Sequence, residues 1–118
     1  IDTKISQETF NLVKEGMFGV VNGAGTATFV RLPDIKIAGK TGTAQNPHGN
    51  DHAWFIAFAP YENPQIAVCV LVENAGFGAT HAAPIAKKII ESYLRKNFKE
   101  FHKDDFKITF ASENLNEN

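Results

Sequence analysis

The stretch "AWFIAFAPYENPQIAVCVLVE", Ala53 to Glu73, limits the fold more than any other. It holds two continuous apolar runs of strand length, Ala53 to Ala59 and Ile66 to Glu73. The first is aromatic, the second β-branched, and "PYENPQ" between them carries the turn chemistry of an antiparallel hairpin. Runs this apolar predict a sheet covered on both faces, or a central strand. A third candidate, Lys36 to Thr43, joins the hairpin through "NPHGND".

Helical patterns flank these strands. "SQETFNLVKEGMFGVVNG" has Ser6 as an N-cap, Glu8 in the first turn, and Phe10, Val13, Met17, Val20 and Val21 at helical spacing. Asn22-Gly23 closes it. "AGTATFVRLPD" is a connection. After the glycine-rich "NAGFGAT", the segment "HAAPIAKKIIESYLRK" predicts a second helix with Pro84 in its first turn. Ile85, Ile89, Ile90, Tyr93 and Leu94 form its apolar stripe, and basic residues gather toward its C-terminus, where they suit the macrodipole. The order helix, three antiparallel strands, helix is α+β rather than βαβ. Residues 1–97 form the folded unit, and 98–118 form a polar tail in which "FKITF", Phe106 to Phe110, has the pattern of a short strand.

Composition narrows the function classes. The chain has 118 residues, 43% hydrophobic and 21% charged, enough for one core. A net charge of -1 offers no basic face for nucleic acid. The longest apolar run, Ala53 to Pro60, is far short of the ~20 residues of a membrane helix, so any membrane anchor must lie elsewhere. The lone Cys69 reads as a buried strand residue, and Trp54, Phe55 and Phe58 as core.

Two motifs compete for "IKIAGKTGTAQ", Ile35 to Gln45. A phosphate-binding loop needs a glycine five residues before Gly39, where Asp34 stands, and a helix after Thr41, where Gly42, Pro47 and Gly49 stand. That reading fails on both sides. As a strand bordering a cleft the motif is chemically coherent. Lys40 supplies positive charge, and Thr41 and Thr43 supply hydroxyl donors suited to a carboxylate. Gly42 lets a substrate backbone lie close, and the Thr43 N–H can serve a developing oxyanion. His48, Asp51 and His52 lack metal-site spacing and read as a solvated loop; His81 belongs near a helix start. "GFG", Gly76 to Gly78, is a loop and not a dinucleotide fingerprint, and no pattern points to a cofactor or a metal.

"LVKEGMFGVVNGAGTA", "IAGKTGTAQ" and "HAWFIAFAPYENPQIAVCVLVENAGFG" occur in the order found in class B penicillin-binding proteins. Over roughly residues 5 to 96 the chain resembles the C-terminal part of their transpeptidase domain, closest to the elongation-type peptidoglycan D,D-transpeptidases. The resemblance implies a serine acyl transfer that cross-links peptidoglycan stem peptides and is trapped by β-lactams. It implies that Lys40, Thr41 and Gly42 are the third family motif, that Thr41 and Thr43 hold the ligand carboxylate, and that the Thr43 N–H is half of the oxyanion hole. It also implies a bacterial envelope location, on the periplasmic side of the cytoplasmic membrane, with the anchor outside this chain. A β-lactam-sensing or binding domain of the same fold and a non-catalytic interaction module are the alternatives.

The family's other motifs, S-x-x-K and S-x-N, are missing in order. The three serines, Ser6, Ser92 and Ser112, are followed three residues on by Thr9, Arg95 and Leu115. "SEN", Ser112 to Asn114, falls after the K-T-G in the tail and reads as chance. The expectation is therefore a piece of a larger transpeptidase, without nucleophile and inactive alone. Its strand 66–73 would expose an edge inviting self-association or capping by "FKITF".

Overall fold

The computed structural model describes residues 2–95. Its elements run α1 (Gln7–Asn22), a 3₁₀ turn (Thr28–Val30), β1 (Ala38–Ala44), β2 (His52–Ala59), β3 (Ile66–Val72) and α2 (Gly78–Leu94). The tail, with "FKITF" and "SEN", lies outside the described residues.

α1 begins and ends where its capping residues stand. The Thr9 N–H donates to Ser6 Oγ at 3.2 Å, and the Gly23 N–H donates to the Gly19 carbonyl at 3.0 Å. No basic residue lies in its last turn; Arg31 arrives from the following connection instead. Its guanidinium donates to the carbonyls of Val21, Asn22 and Gly23 at 3.3, 3.0 and 3.1 Å. Only the second half of the expected stripe is covered: Val21 is buried, whereas Phe10 and Val13 are exposed. Asn22 Nδ2 donates to the Ile37 carbonyl at 2.7 Å and so fixes the end of α1 to the approach of β1.

The sheet has the order β1-β2-β3, antiparallel throughout. The register aligns Gly42, Trp54 and Leu71 across it, and likewise Lys40, Ile56 and Cys69. Side chains alternate between faces along each strand. One face carries Ala53, Phe55, Ala57, Ala59 and Val70 into the core, where they meet Ala82, Ala83, Ala86 and Ile90 of α2. The alanines let the helix lie close to the sheet.

The opposite face corrects two expectations. Trp54, Ile56 and Leu71 are 36%, 45% and 44% exposed, and Cys69 is exposed rather than buried. Phe55 is the fully buried aromatic of the three expected in the core, while Phe58 is half-buried. Among the described residues the sheet is covered fully on one face only, and β3 is an edge strand, as expected for 66–73. The apolar runs concealed an ordinary half-buried alternation, because their outward positions are apolar as well.

α2 starts three residues before the expected His81, at Gly78, with Phe77 as an N-cap that makes no side-chain bond. Pro84 therefore sits in the second turn rather than the first. Thr80, whose carbonyl loses its partner there, is exposed to water. The last turn holds no basic residue, contrary to the expected pattern. The helix end is tied instead by Arg95, whose Nη2 lies 2.8 Å from Asp34 and 3.4 Å from Glu91. Asp34, the residue that rules out a phosphate loop, thus has a structural partner. No helix among the described residues is long and apolar enough to cross a membrane.

Candidate active site

β1 carries the K-T-G-T run along an edge of the sheet that is open among the described residues. Two-residue periodicity puts Thr41 and Thr43 on one side of this strand and Lys40 and Gly42 on the other. The two threonines are thus brought together, and the lysine is set across the strand from them. Lys40 is exposed, and its Nζ donates to the Thr41 carbonyl at 2.6 Å. Gly42 lies beside Trp54, whose Cβ would be 3.2 Å from a Cβ added at Gly42.

Thr43 opens into a cleft of 340 Å³, lined also by Asn50, Asp51, Ala75, Gly76 and Phe77. Two loops wall it: residues 45–51 between β1 and β2, and residues 73–77 between β3 and α2. They are joined by a hydrogen-bonded clamp. Asn46 Nδ2 donates to Asn74 Oδ1 at 2.6 Å and to the Asn50 carbonyl at 3.3 Å. The Asn46 N–H donates to Asp51 Oδ1 at 3.3 Å, and the Gly76 N–H to the Asp51 carbonyl at 2.7 Å. The Asn74 N–H donates to His52 Nδ1 at 3.0 Å, so that bond requires an unprotonated Nδ1. Asn74 adopts φ +55°, a left-handed conformation that asparagine tolerates better than most residues.

Asp51 and His52 therefore hold two loops together, while His48 is exposed. Among the described residues no group of three or more His, Cys, Asp or Glu side chains is placed to hold a metal. The clamp was not visible in the sequence, because Asn46 and Asn74 lie 28 residues apart and neither belongs to a motif. Thr26 also escaped notice, although its hydroxyl lies 2.9 Å from that of Thr41.

The K-T-G-T run thus lies on an edge strand beside a cleft, on a sheet backed by a C-terminal helix. The model of the penicillin-binding protein transpeptidase domain matches residues 2–91, and the chain belongs to that family. It is similar to the peptidoglycan D,D-transpeptidase MrdA of Haemophilus influenzae, 41% identical over 108 residues, covering 76% of this chain and 16% of the relative. To PbpA of Mycobacterium tuberculosis it is 47% identical over 75 residues, with 54% of this chain and 15% of the relative covered. The chain thus spans less than a fifth of the length of these relatives.

Solved structures agree. Pseudomonas aeruginosa PBP2 in complex with WCK 5153 superposes with a TM-score of 0.70 at 38% identity, over 88% of this chain and 23% of that one. The imipenem acyl-enzyme of penicillin-binding protein A from M. tuberculosis gives 0.65 at 39% identity, over 76% and 20%. The α+β architecture of three antiparallel strands and flanking helices is that of the family.

Proposed function

We propose that this chain is the K-T-G-bearing part of a peptidoglycan D,D-transpeptidase whose serine lies outside it. The observation that carries the reading is the K-T-G-T strand at an open sheet edge beside a cleft, in a family whose similar members are D,D-transpeptidases. In the reaction, the serine Oγ attacks the carbonyl carbon of the penultimate D-alanine of a stem peptide. The Oγ–C bond forms, the amide C–N bond breaks, and the terminal D-alanine leaves with the serine proton on its amine. An acceptor amine on a neighbouring strand then displaces the serine. A β-lactam takes the first step and stalls as the acyl-enzyme.

In this reading Thr41 and Thr43 hold the ligand carboxylate, Lys40 supplies positive charge, and the Thr43 N–H is one oxyanion donor. An oxyanion donor of this kind contributes about 3 kcal/mol to the transition state. The enzyme works in the bacterial envelope on the periplasmic side of the cytoplasmic membrane, where its substrate is. The open edge of β3 would associate with a second copy when the chain is isolated, since its backbone groups are unpaired among the described residues.

The test is covalent labelling by a fluorescent penicillin, read on a denaturing gel. The complete protein should label and the isolated 118-residue chain should not, because it lacks an S-x-x-K nucleophile. A denaturation-resistant adduct on the isolated chain would overturn the assignment of its role.

A further inference from the structure

We infer that Thr26 is a positioning residue for the carboxylate site, aiming the Thr41 hydroxyl at the ligand. The inference rests on the reading of Thr41 given above. The two hydroxyl oxygens are 2.9 Å apart, close enough for one strong hydrogen bond. Thr41 has a single O–H to give and two lone pairs to accept with. When that proton goes to a ligand carboxylate, the bond to Thr26 persists only if Thr26 is the donor. Donation by Thr26 then does two things. It fixes the rotation of the Thr41 O–H toward the cleft side of β1, and it polarises that O–H, so that the bond to the anion strengthens.

The backbone around Thr26 is held for this purpose. Gly25 packs so closely on the last turn of α1 that an added Cβ would collide with backbone atoms of Val20. On the other side Ala27 is fully buried, and its N–H donates to the Val20 carbonyl at 3.1 Å. Thr26 lies between these two anchors and is itself exposed, so its side chain contributes little to the core. An exposed threonine presented by a pinned backbone, with its hydroxyl on a site hydroxyl, fits a positioning role better than a packing one.

The experiment compares acylation of the complete protein by benzylpenicillin and by its methyl ester, which lacks the anionic carboxylate. Thr26→Val keeps the side-chain shape and removes the hydroxyl; it should slow acylation by the acid about fivefold and leave the ester rate unchanged. Thr26→Ser should restore the wild-type ratio of the two rates. Thr41→Val serves as the control and should also slow the acid selectively. An equal effect of Thr26→Val on both ligands, or none on either, overturns the inference. If Thr41→Val itself shows no selectivity, the carboxylate reading falls and the inference with it. Unchanged melting temperatures for all three variants keep these outcomes separate from misfolding.

Discussion

Gly78 shows how one missing methyl group sets the position of the site. It is the first residue of α2, and an added Cβ would collide with the carbonyl oxygens of Trp54 and Gly42, both backbone atoms. Helix propensity alone argues that Gly78→Ala should stabilise the chain by up to about 1 kcal/mol. Crowding against fixed backbone argues the opposite, at about 1–3 kcal/mol, and should win because neither carbonyl can swing aside as a side chain would. The expected result is a lower denaturation midpoint for Gly78→Ala; a raised midpoint would show that the strand and helix can part without cost. Gly78 was visible in the sequence only as a loop glycine of "GFG". No capping side chain announced that a helix starts there, and the close approach to Gly42 depends on tertiary packing. Ser6 and Gly23, by contrast, act through neighbours within four residues, so local chemistry was enough to place both ends of α1.

At the level of elements, the two loops that wall the Thr43 cleft behave as one unit because Asn46, Asn74, Asp51 and His52 bind them to each other. Two substitutions separate the parts of that clamp. Asn74→Gly keeps the left-handed backbone at φ +55° and removes only the side-chain bond, at a cost of about 1 kcal/mol. Asn74→Val adds the strain of a β-branched residue in that region and should cost roughly 1–2 kcal/mol more. Thermal denaturation gives the order, and faster amide exchange at Gly76 in both variants would show that the loops separate. If the two variants matched in stability, the strain argument would fail. Strand identity was legible from the hairpin alone, but strand exposure was not. Trp54, Ile56, Cys69 and Leu71 are outward positions filled by apolar residues, so hydrophobicity carried no period-two signal. The K-T-G-T run was placed correctly on a strand, since Asp34 and Pro47 exclude the alternative locally; its clamp and Thr26 depend on contacts from distant segments.

At the scale of the molecule, the edge of β3, open among the described residues, makes a definite prediction about the isolated chain. Cys69 is the middle residue of Ile66–Val72 and is exposed. Two copies pairing β3 antiparallel about a two-fold axis, centred on that residue, would set the two Cys69 residues opposite each other. Their Cα atoms would be ~4.5–5.5 Å apart, within disulfide range. Mild oxidation should then give a covalent dimer on a non-reducing gel, absent in Cys69→Ser and reduced by the charge of Ala67→Lys. A chain that sediments as a monomer, and still does so after residues 98–118 are deleted, would count against both a second copy and the tail as occupants of the edge.

The half-exposed indole of Trp54 gives this molecule an optical handle. It is the single tryptophan of the chain, and it stands beside Gly42 on the less covered face of the sheet. All tryptophan emission from the isolated chain therefore reports on one spot next to the candidate site. Association at that face should shift the emission to the blue and shield it from a soluble quencher, without any label being attached.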